Sequence, residues 1–424
     1  MTVDADAATR RQRLVERLRA RGVLRTASIE AAFGAVGRHH FLPDRPLAEV
    51  YRDVHLVAKE ADGWRLVTST GPWLMATMLE QLQPRPGQRL LEIGAGTGYN
   101  AAMLSHLVGV DGAVTSLDID DDAVRWARRG LDRAAEHGLL GAPVTVRSAD
   151  GFAGDPEGAP WDGILVTVRT DKIAPAWVEH LAPGGRLVVP LALGGVRHGQ
   201  LSIAFEAAED HLRSLSVRDC GFVRPRGAMG LDDHELLLTD RPRLSWGDAG
   251  RHPISGAELF GLLGRIGPTL DSGVVVEQRE MTEDFQTWLV AHDPDTCSVR
   301  AEQHWADWPA IVPLVEIPGR FRGSGGLFDG VGIALLGLRR DGDDRRRCEV
   351  VVRCHGPDDA AARLADRLLA LLQVWDRAGR PRRADMQLRL DRPGRGVPVS
   401  PTGVRTTHAW GDLSIEWPSS AVDV

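Results

Sequence analysis

Three glycines in five residues, Gly94, Gly96 and Gly98, follow directly on the apolar run Leu90-Leu91-Glu92-Ile93. That run is long enough for a buried parallel strand, and the glycines force a tight turn after it. From Asn100 to Val108, the residues Ala101, Ala102, Leu104, Leu107 and Val108 recur at helical spacing. Strand, glycine turn and helix N-terminus together make a cradle for a nucleotide-like ligand. The backbone can approach closely there, and the first N–H groups of the helix are unpaired. The next apolar run, Ala113 to Leu117, ends in Asp118. A carboxylate at that strand tip can accept both hydroxyls of a ribose.

The spacing of the turn narrows the nucleotide. A dinucleotide fold uses G-x-G-x-x-G so that the helix carries a pyrophosphate. Here the third glycine comes one residue early, and Tyr99 stands where the last glycine of that pattern belongs. This disfavours a nicotinamide oxidoreductase. The E-x-G-x-G-x-G form from Glu92 to Gly98 suits S-adenosylmethionine, which has a ribose and an amino-acid tail but no phosphate. The candidate cofactor residues are Glu92, Gly94, Ala95, Gly96, Gly98, Tyr99, Asp118 and Ile119. Asp150 and Gly151 join them, following the strand Val144-Thr145-Val146, where an acidic residue can meet an adenine amino group.

Before the loop, residues from Arg10 to Gly22 and from Ser28 to Val36 read as two helices, the second starting at Ser28 with Glu30 behind it. Arg38-His39-His40-Phe41-Leu42-Pro43 ends the pair. The two histidines are neighbours on a helix end, so they are expected to point apart. No Asp, Glu or Cys at ligand spacing joins them, and no metal is expected. Leu66 to Pro72 then leads into a helix with Trp73, Leu74, Met78, Leu79 and Leu82 at helical spacing. The hydroxyls of Thr68-Ser69-Thr70 beside that helix start are either caps or a donor set aimed at a carboxylate.

After the loop, Asp121 to Ala135 is a helix, Trp161 to Thr167 a strand facing the cleft, and Trp177 to Leu181 the close of a helix ended by Pro183-Gly184-Gly185. Arg186 to Pro190 is the next strand. This alternation predicts an α/β fold, a parallel doubly wound sheet with ligands at the carboxyl ends of its strands.

Near Pro225 to Gly250 the composition shifts to Pro, Gly and Asp. Residues 1–230 read as the cofactor domain (with helices in 1–45), 231–250 as a linker, and 251–424 as a C-terminal α+β domain. Strand-like runs lie at Val274–Val276, Val331–Leu338, Glu349–Arg353 and Met386–Leu390, with a hairpin tip at Asp341 to Arg345. The clearest helix runs from Asp358 to Arg377, striped by Leu364, Leu368, Leu371, Leu372 and Trp375. Trp305, Trp308, Trp410 and Trp417 read as core, with peptide anchors as the alternative.

With 424 residues there is chain enough for two domains, each with its own core. No run approaches the roughly 20 apolar residues of a membrane span, and a cytoplasmic setting is expected. Four scattered cysteines fit reduced thiols better than a disulfide framework. A net charge of -7 disfavours a nucleic-acid substrate, and the basic patches at Arg345–Arg347 and Arg380–Arg383 read as solvated turns.

The ordered motifs resemble the protein-L-isoaspartate O-methyltransferase family over about the first half of the chain. They are Phe41-Leu42-Pro43, Tyr51-x-Asp53, Thr68-Ser69-Thr70-x-Pro72, the Glu92–Tyr99 loop, Ser116-Leu117-Asp118, Asp150-Gly151, Ala159-Pro160-Trp161-Asp162 and Pro183 to Pro190. The resemblance implies a class I methyltransferase fold using S-adenosylmethionine and releasing S-adenosylhomocysteine. In it Gly94, Gly96 and Gly98 hold the amino-acid end, Asp118 the ribose, and Asp150 with Gly151 the adenine. Thr70 takes the place of the family's substrate-carboxylate serine, with Ser69 beside it as the second catalytic hydroxyl. Thr68, Asp53, Thr167 and Arg169 are the substrate-binding candidates, Arg169 as the group that steers an anionic peptide.

Two departures fall where substrate is read: Val168-Arg169-Thr170 replaces a run of small residues, and an unrelated C-terminal domain is added. With Cys220-Gly221-Phe222-Val223-x-Pro225-Arg226-Gly227, they look like the long homologues associated with ribosomally made, cyclised peptides such as lanthipeptides. That likeness implies a modified precursor peptide as partner and esterification of an ordinary aspartate leading to aspartimide. Repair of isoaspartyl proteins is the nearest alternative, and a cofactor-binding module without turnover is another.

Overall fold

A computed structural model of the chain describes residues 3–61, 64–193, 200–222, 235–239, 243–248, 252–302, 308–317, 321–340, 347–400, 402–408 and 410–418. Helix α1 (Val3–Ala20) begins seven residues before the expected Arg10, because Ala7 continues the buried stripe of Leu14 and Leu18. Helix α2 (Ala27–Ala35) is capped at Thr26 rather than Ser28; the Thr26 N–H and hydroxyl both donate to Glu80 at 2.8 Å. A 3-10 turn over Arg38–Phe41 follows, then α3 (Leu47–Val50), the hairpin β1 (Leu56–Ala61) and β2 (Trp64–Ser69), and α4 (Pro72–Leu82). The rings of His39 and His40 do not point apart: their centroids are 4.1 Å from each other, with His39 Nδ1 on the Tyr51 hydroxyl at 2.7 Å and His40 packed against His137 at 4.5 Å.

The cofactor half alternates as read: β3 (Arg89–Ile93), α5 (Tyr99–Val108), β4 (Ala113–Asp118), α6 (Asp121–Glu136), β5 (Val144–Ser148), β6 (Trp161–Val166), α7 (Pro175–Glu179) and β7 (Leu181–Ala192). Asp120 caps α6, accepting from the N–H groups of Asp122 and Ala123 at 2.8 and 3.2 Å. Helix α7 stops before Leu181, because Leu181 pairs with Trp161 and draws the Pro183–Gly185 segment into β7.

These strands form one parallel half of a ten-stranded sheet, in the order β5-β4-β3-β6-β7. The other half is antiparallel, which corrects the expectation of a parallel sheet throughout. Strand β8 (Gln200–Ala207) returns beside β7 because residues 193–199 are too few for a crossover, and β9 (His211–Asp219) follows as its hairpin partner.

The expected domain boundaries are also redrawn. Strands β10 (Glu235–Thr239) and β11 (Leu244–Asp248) fall inside the supposed linker, with Leu244 and Trp246 buried. After α8 (Gly256–Gly264) they join a second, eight-stranded antiparallel sheet. It contains β12 (Ile266–Glu277), β13 (Thr296–Glu302), β14 (Val315–Ile317), β15 (Phe321–Phe328), β16 (Ile333–Arg340) and β17 (Arg347–His355), with helix α9 (Gln286–His292) between β12 and β13.

Helix α10 (Asp358–Arg377), as read from its stripe, buries Leu364, Leu368, Leu372 and Trp375. The chain then returns to the first sheet. Strand β18 (Gln387–Asp391) pairs with β9, and β19 (Val404–Thr407) and β20 (Asp412–Glu416) extend that edge. One apolar cluster accordingly runs from Val189, Ile203 and Phe205 through Trp288 and Trp417 to Leu368, where two separate cores were expected.

Trp417 is buried, Trp410 packs against this cluster, and Trp308 stacks on Phe260, so all three serve packing. All four cysteines are free thiols, Cys297 and Cys354 buried. Trp305, residues 223–227 of the Cys220–Gly227 segment, Arg345, Arg346 and the hairpin tip at 341–345 lie outside the described residues. Among the described residues no helix is long and apolar enough to cross a membrane.

Candidate active site

The glycine turn between β3 and α5 is closed on itself. The N–H groups of Gly94 and Ala95 both donate to the Leu117 carbonyl at 2.7 and 3.1 Å, and Gly98 N–H donates to Ala95 at 2.8 Å. Gly96 N–H donates to Asp118 Oδ2 at 3.1 Å, and Asp120 N–H to Asp118 Oδ1 at 3.1 Å. The turn therefore offers a folded platform and not a nest of open N–H donors, which agrees with a ligand lacking phosphate. Gly96 is held at φ +51, and a Cβ there would lie 2.5 Å from the Thr68 carbonyl oxygen. Thr97 N–H bonds that same carbonyl at 3.2 Å. Only a glycine lets the hydroxyl-bearing strand end come this close to the loop.

Asp118 is half-buried at the tip of β4, and Ile119 beside it is 40% exposed. Asp150 is half-buried after β5 and accepts from Phe152 N–H at 3.0 Å, while Gly151 lies buried against Ile93. Asp118 and Asp150 thus set two half-buried carboxylates at the ends of neighbouring strands, with the exposed Ile119 beside one of them.

Three expected cofactor residues do not face that cleft. Glu92 is fully buried under the turn, where it accepts from Asn100 Nδ2 at 2.7 Å and from the Ser116 hydroxyl. Burial pushes its carboxyl up to about 7. Tyr99 is 3% exposed, turned into the core against Phe41 with its hydroxyl toward the Val36 carbonyl. Ala95 is likewise buried, and its N–H is spent on Leu117. All three shape the turn from behind.

Strand alternation separates the two hydroxyls read as catalytic. Val67 and Ser69 point inward while Thr68 and Thr70 are half-buried on the other face. Ser69 is 2% exposed, and its hydroxyl accepts from Arg38 Nε at 3.2 Å. It is thus withdrawn from any substrate. Among the described residues the Thr70 hydroxyl bonds no protein group, and the side chain is half-buried.

The other substrate candidates are mostly spent on structure. Asp53 Oδ1 accepts from the Trp73 N–H at 2.8 Å in the first turn of α4, and its Oδ2 accepts from Arg21. The Thr167 hydroxyl donates to the carbonyls at Ile93 and Gly94, tying β6 to the turn. Arg169 is 2% exposed and cannot act as a steering group at the surface.

Sequence reasoning missed Arg38, which has no exposure and donates to the carbonyls of Val50, Arg52, Val54, Ser69 and Thr70 at 2.9–3.3 Å. Followed by His39 and His40, it reads locally as part of a polar helix end. Ser116 stands in the Ser116-Leu117-Asp118 motif and Asn100 at a predicted helix start, but nothing local pairs either with Glu92; His55, whose Nδ1 accepts from Gly71 N–H at 3.1 Å, gives no signal.

Comparison with known proteins points to the same half of the chain. The family model for protein-L-isoaspartate(D-aspartate) O-methyltransferase (PCMT) matches residues 9–225. A protein-L-isoaspartate O-methyltransferase from Methanopyrus kandleri is 35% identical over 226 residues, 53% of this chain and 95% of that protein. One from Methylorubrum extorquens is 40% identical over 191 residues, 45% of this chain and 77% of the relative.

A solved protein-L-isoaspartate O-methyltransferase structure shares the fold at a TM-score of 0.50 and 23% identity, covering 90% of this chain and 96% of its own. That likeness extends well past the family match, so the C-terminal part is not without a counterpart in fold, contrary to the sequence reading. The chain belongs to the protein-L-isoaspartate(D-aspartate) O-methyltransferase family, and is an S-adenosylmethionine-dependent carboxyl methyltransferase of class I architecture.

Proposed function

We propose that the protein esterifies the α-carboxylate of isoaspartyl residues in polypeptides. The observation that carries this reading is the 3.2 Å bond from Thr97 N–H to the Thr68 carbonyl, which locks the threonine-bearing strand end onto the cofactor turn. In the proposed site Asp118 and Asp150 hold the hydroxyl and amino groups of the nucleoside, Ile119 packs its base, and the turn from Gly94 to Gly98 supports its amino-acid end. When bound, the cofactor supplies a sulfonium methyl group already activated for displacement.

Little acid–base work is left to the protein. A carboxyl with a pKa of about 3.5 is ionised at pH 7, so no general base is required. Thr70 donates its hydroxyl proton to one carboxylate oxygen and leaves the other facing the methyl group. Thr68, on the same face, lines the approach. Arg38 fixes the Thr70 backbone, and orientation of this kind supplies most of the rate. Once the ester leaves the site, the next amide nitrogen displaces methanol and closes a five-membered imide without further help.

The narrower reading, an ordinary aspartate in a cyclised peptide, draws on Arg169, on Cys220–Gly227 and on the C-terminal part. Arg169 is buried, residues 223–227 are not described, and the fold likeness spans 90% of the chain. None of the three favours it over isoaspartate. The test is methyl transfer to an isoaspartyl peptide, to its normal-aspartate twin, and to a cyclised aspartyl peptide. Methylation of the isoaspartyl peptide alone is the expected outcome. Transfer confined to the cyclised peptide would replace the substrate, and no turnover with any of them would leave a binding module.

A further inference from the structure

Arg10, Arg13 and Arg17 lie on one face of α1, at helical positions i, i+3 and i+7. Opposite them, Arg52 closes a groove of about 290 Å³ floored by Tyr51 and Val54. The charges here are only partly cancelled. Arg10 pairs with Asp6, and the acid in the groove wall, Asp53, is held by Arg21. Arg17 spends one N–H on the Tyr51 carbonyl at 2.8 Å. Arg13 and Arg52 are exposed, and among the described residues neither has a carboxylate partner. A helix face alone would present its arginines from one element; here α1 and residues 51–54 line one groove together.

The groove shares a wall with the proposed methylation site. The carbonyls of Arg52 and Val54 and that of Thr70 all bond the one guanidinium of Arg38, and Asp53 accepts from the first turn of the helix that starts just after Thr70. Thr70 and residues 52–54 are thus held about one guanidinium, close enough for the residues flanking a substrate group at Thr70 to reach the groove. In a chain of net charge -7, this concentration of positive charge selects anions locally while the remainder of the surface repels extended polyanions such as nucleic acid.

We propose that the groove between α1 and residues 51–54 docks a carboxylate-rich stretch of the substrate polypeptide beside the residue being methylated. The inference rests on the isoaspartyl reading for its substrate, but its test does not need turnover.

Two fluorescent peptides would share an isoaspartyl core, one flanked on both sides by Asp and Glu, the other by Asn and Gln. Fluorescence anisotropy should show roughly three- to tenfold tighter binding of the acidic peptide, the effect of two or three partly exposed ion pairs. The ratio should fall to near one in the Arg13→Ala/Arg52→Ala protein and at about 0.5 M salt. Should that variant melt early, Arg13→Gln/Arg52→Gln keeps most of the side-chain bulk and is expected to behave the same way. Equal binding of the two peptides, or a preference that survives both variants, would overturn the proposal. So would a single-stranded RNA that displaces the acidic peptide at lower concentration than the unlabelled peptide does. If neither peptide is methylated, the isoaspartyl reading fails, while anisotropy still decides the groove.

Discussion

The guanidinium of Arg38 donates to the Ser69 hydroxyl at 3.2 Å and, from the same side, to the carbonyls of Ser69 and Thr70 at 3.1 and 3.0 Å. Ser69 is thereby pinned away from the cleft while Thr70 is held at its mouth. Burial lowers the arginine to about 10, which still leaves it charged at pH 7. One buried cation thus fixes which of two adjacent hydroxyls is withdrawn into the core.

Arg38→Lys should destabilise the protein by about 3 kcal/mol or more in urea unfolding. A lysine ammonium cannot reach the spread of carbonyls that the planar fork serves, and the abandoned ones stay buried. A loss under 1 kcal/mol would mean that water replaces those bonds without cost.

Thr70→Ala and Ser69→Ala should part company. The first removes a hydrogen bond to a charged group and should lower kcat about 10- to 100-fold, with cofactor affinity by calorimetry unchanged. The second should cost about 1 kcal/mol of stability and leave kcat within a few-fold. Equal kinetic losses in the two variants would show that both hydroxyls reach the substrate.

Asp118→Ala should raise the cofactor dissociation constant about tenfold or more, because it removes the ribose acceptor and the partner of the Gly96 N–H together. Isothermal titration measures this directly. An unchanged constant would remove Asp118 from the cofactor site.

Glu92 gives the protein a pH dependence with a definite sign. Burial raises its folded pKa to about 7, above its ordinary value of 4.5. Between those values the folded protein binds the proton that the unfolded chain has released, so stability declines as pH rises through this window. The decline amounts to roughly 3 kcal/mol and levels off above pH 7. Glu92→Gln should flatten that slope in melts compared at pH 5 and pH 8. A slope equal to that of the unaltered protein would mean that Glu92 is ionised across the range.

Local patterning carried much of the cofactor half. The turn at Gly94–Gly98, the acids Asp118 and Asp150 at strand ends, and the α10 stripe are all readable, because glycine spacing and 3.6-residue periodicity are properties of neighbouring residues. The errors arose where neighbours do not decide. Glu92 and Tyr99 belong to the turn motif, but whether they line the cleft or support it from beneath depends on what packs below, namely Ser116, Asn100 and Phe41.

From the sequence by itself came the order of strands and helices from β3 to β7, the glycine turn between β3 and α5 and the hydroxyl segment before it. Only the tertiary structure decided that Ser69 turns inward to Arg38, 31 positions away, while Thr70 stays at the cleft. It also decided that β18–β20 complete a sheet begun some 300 residues earlier. The physical reason is common to both. Strand pairing and the satisfaction of buried polar groups are contacts between segments distant in the chain, and no local period encodes which distant segment supplies the partner.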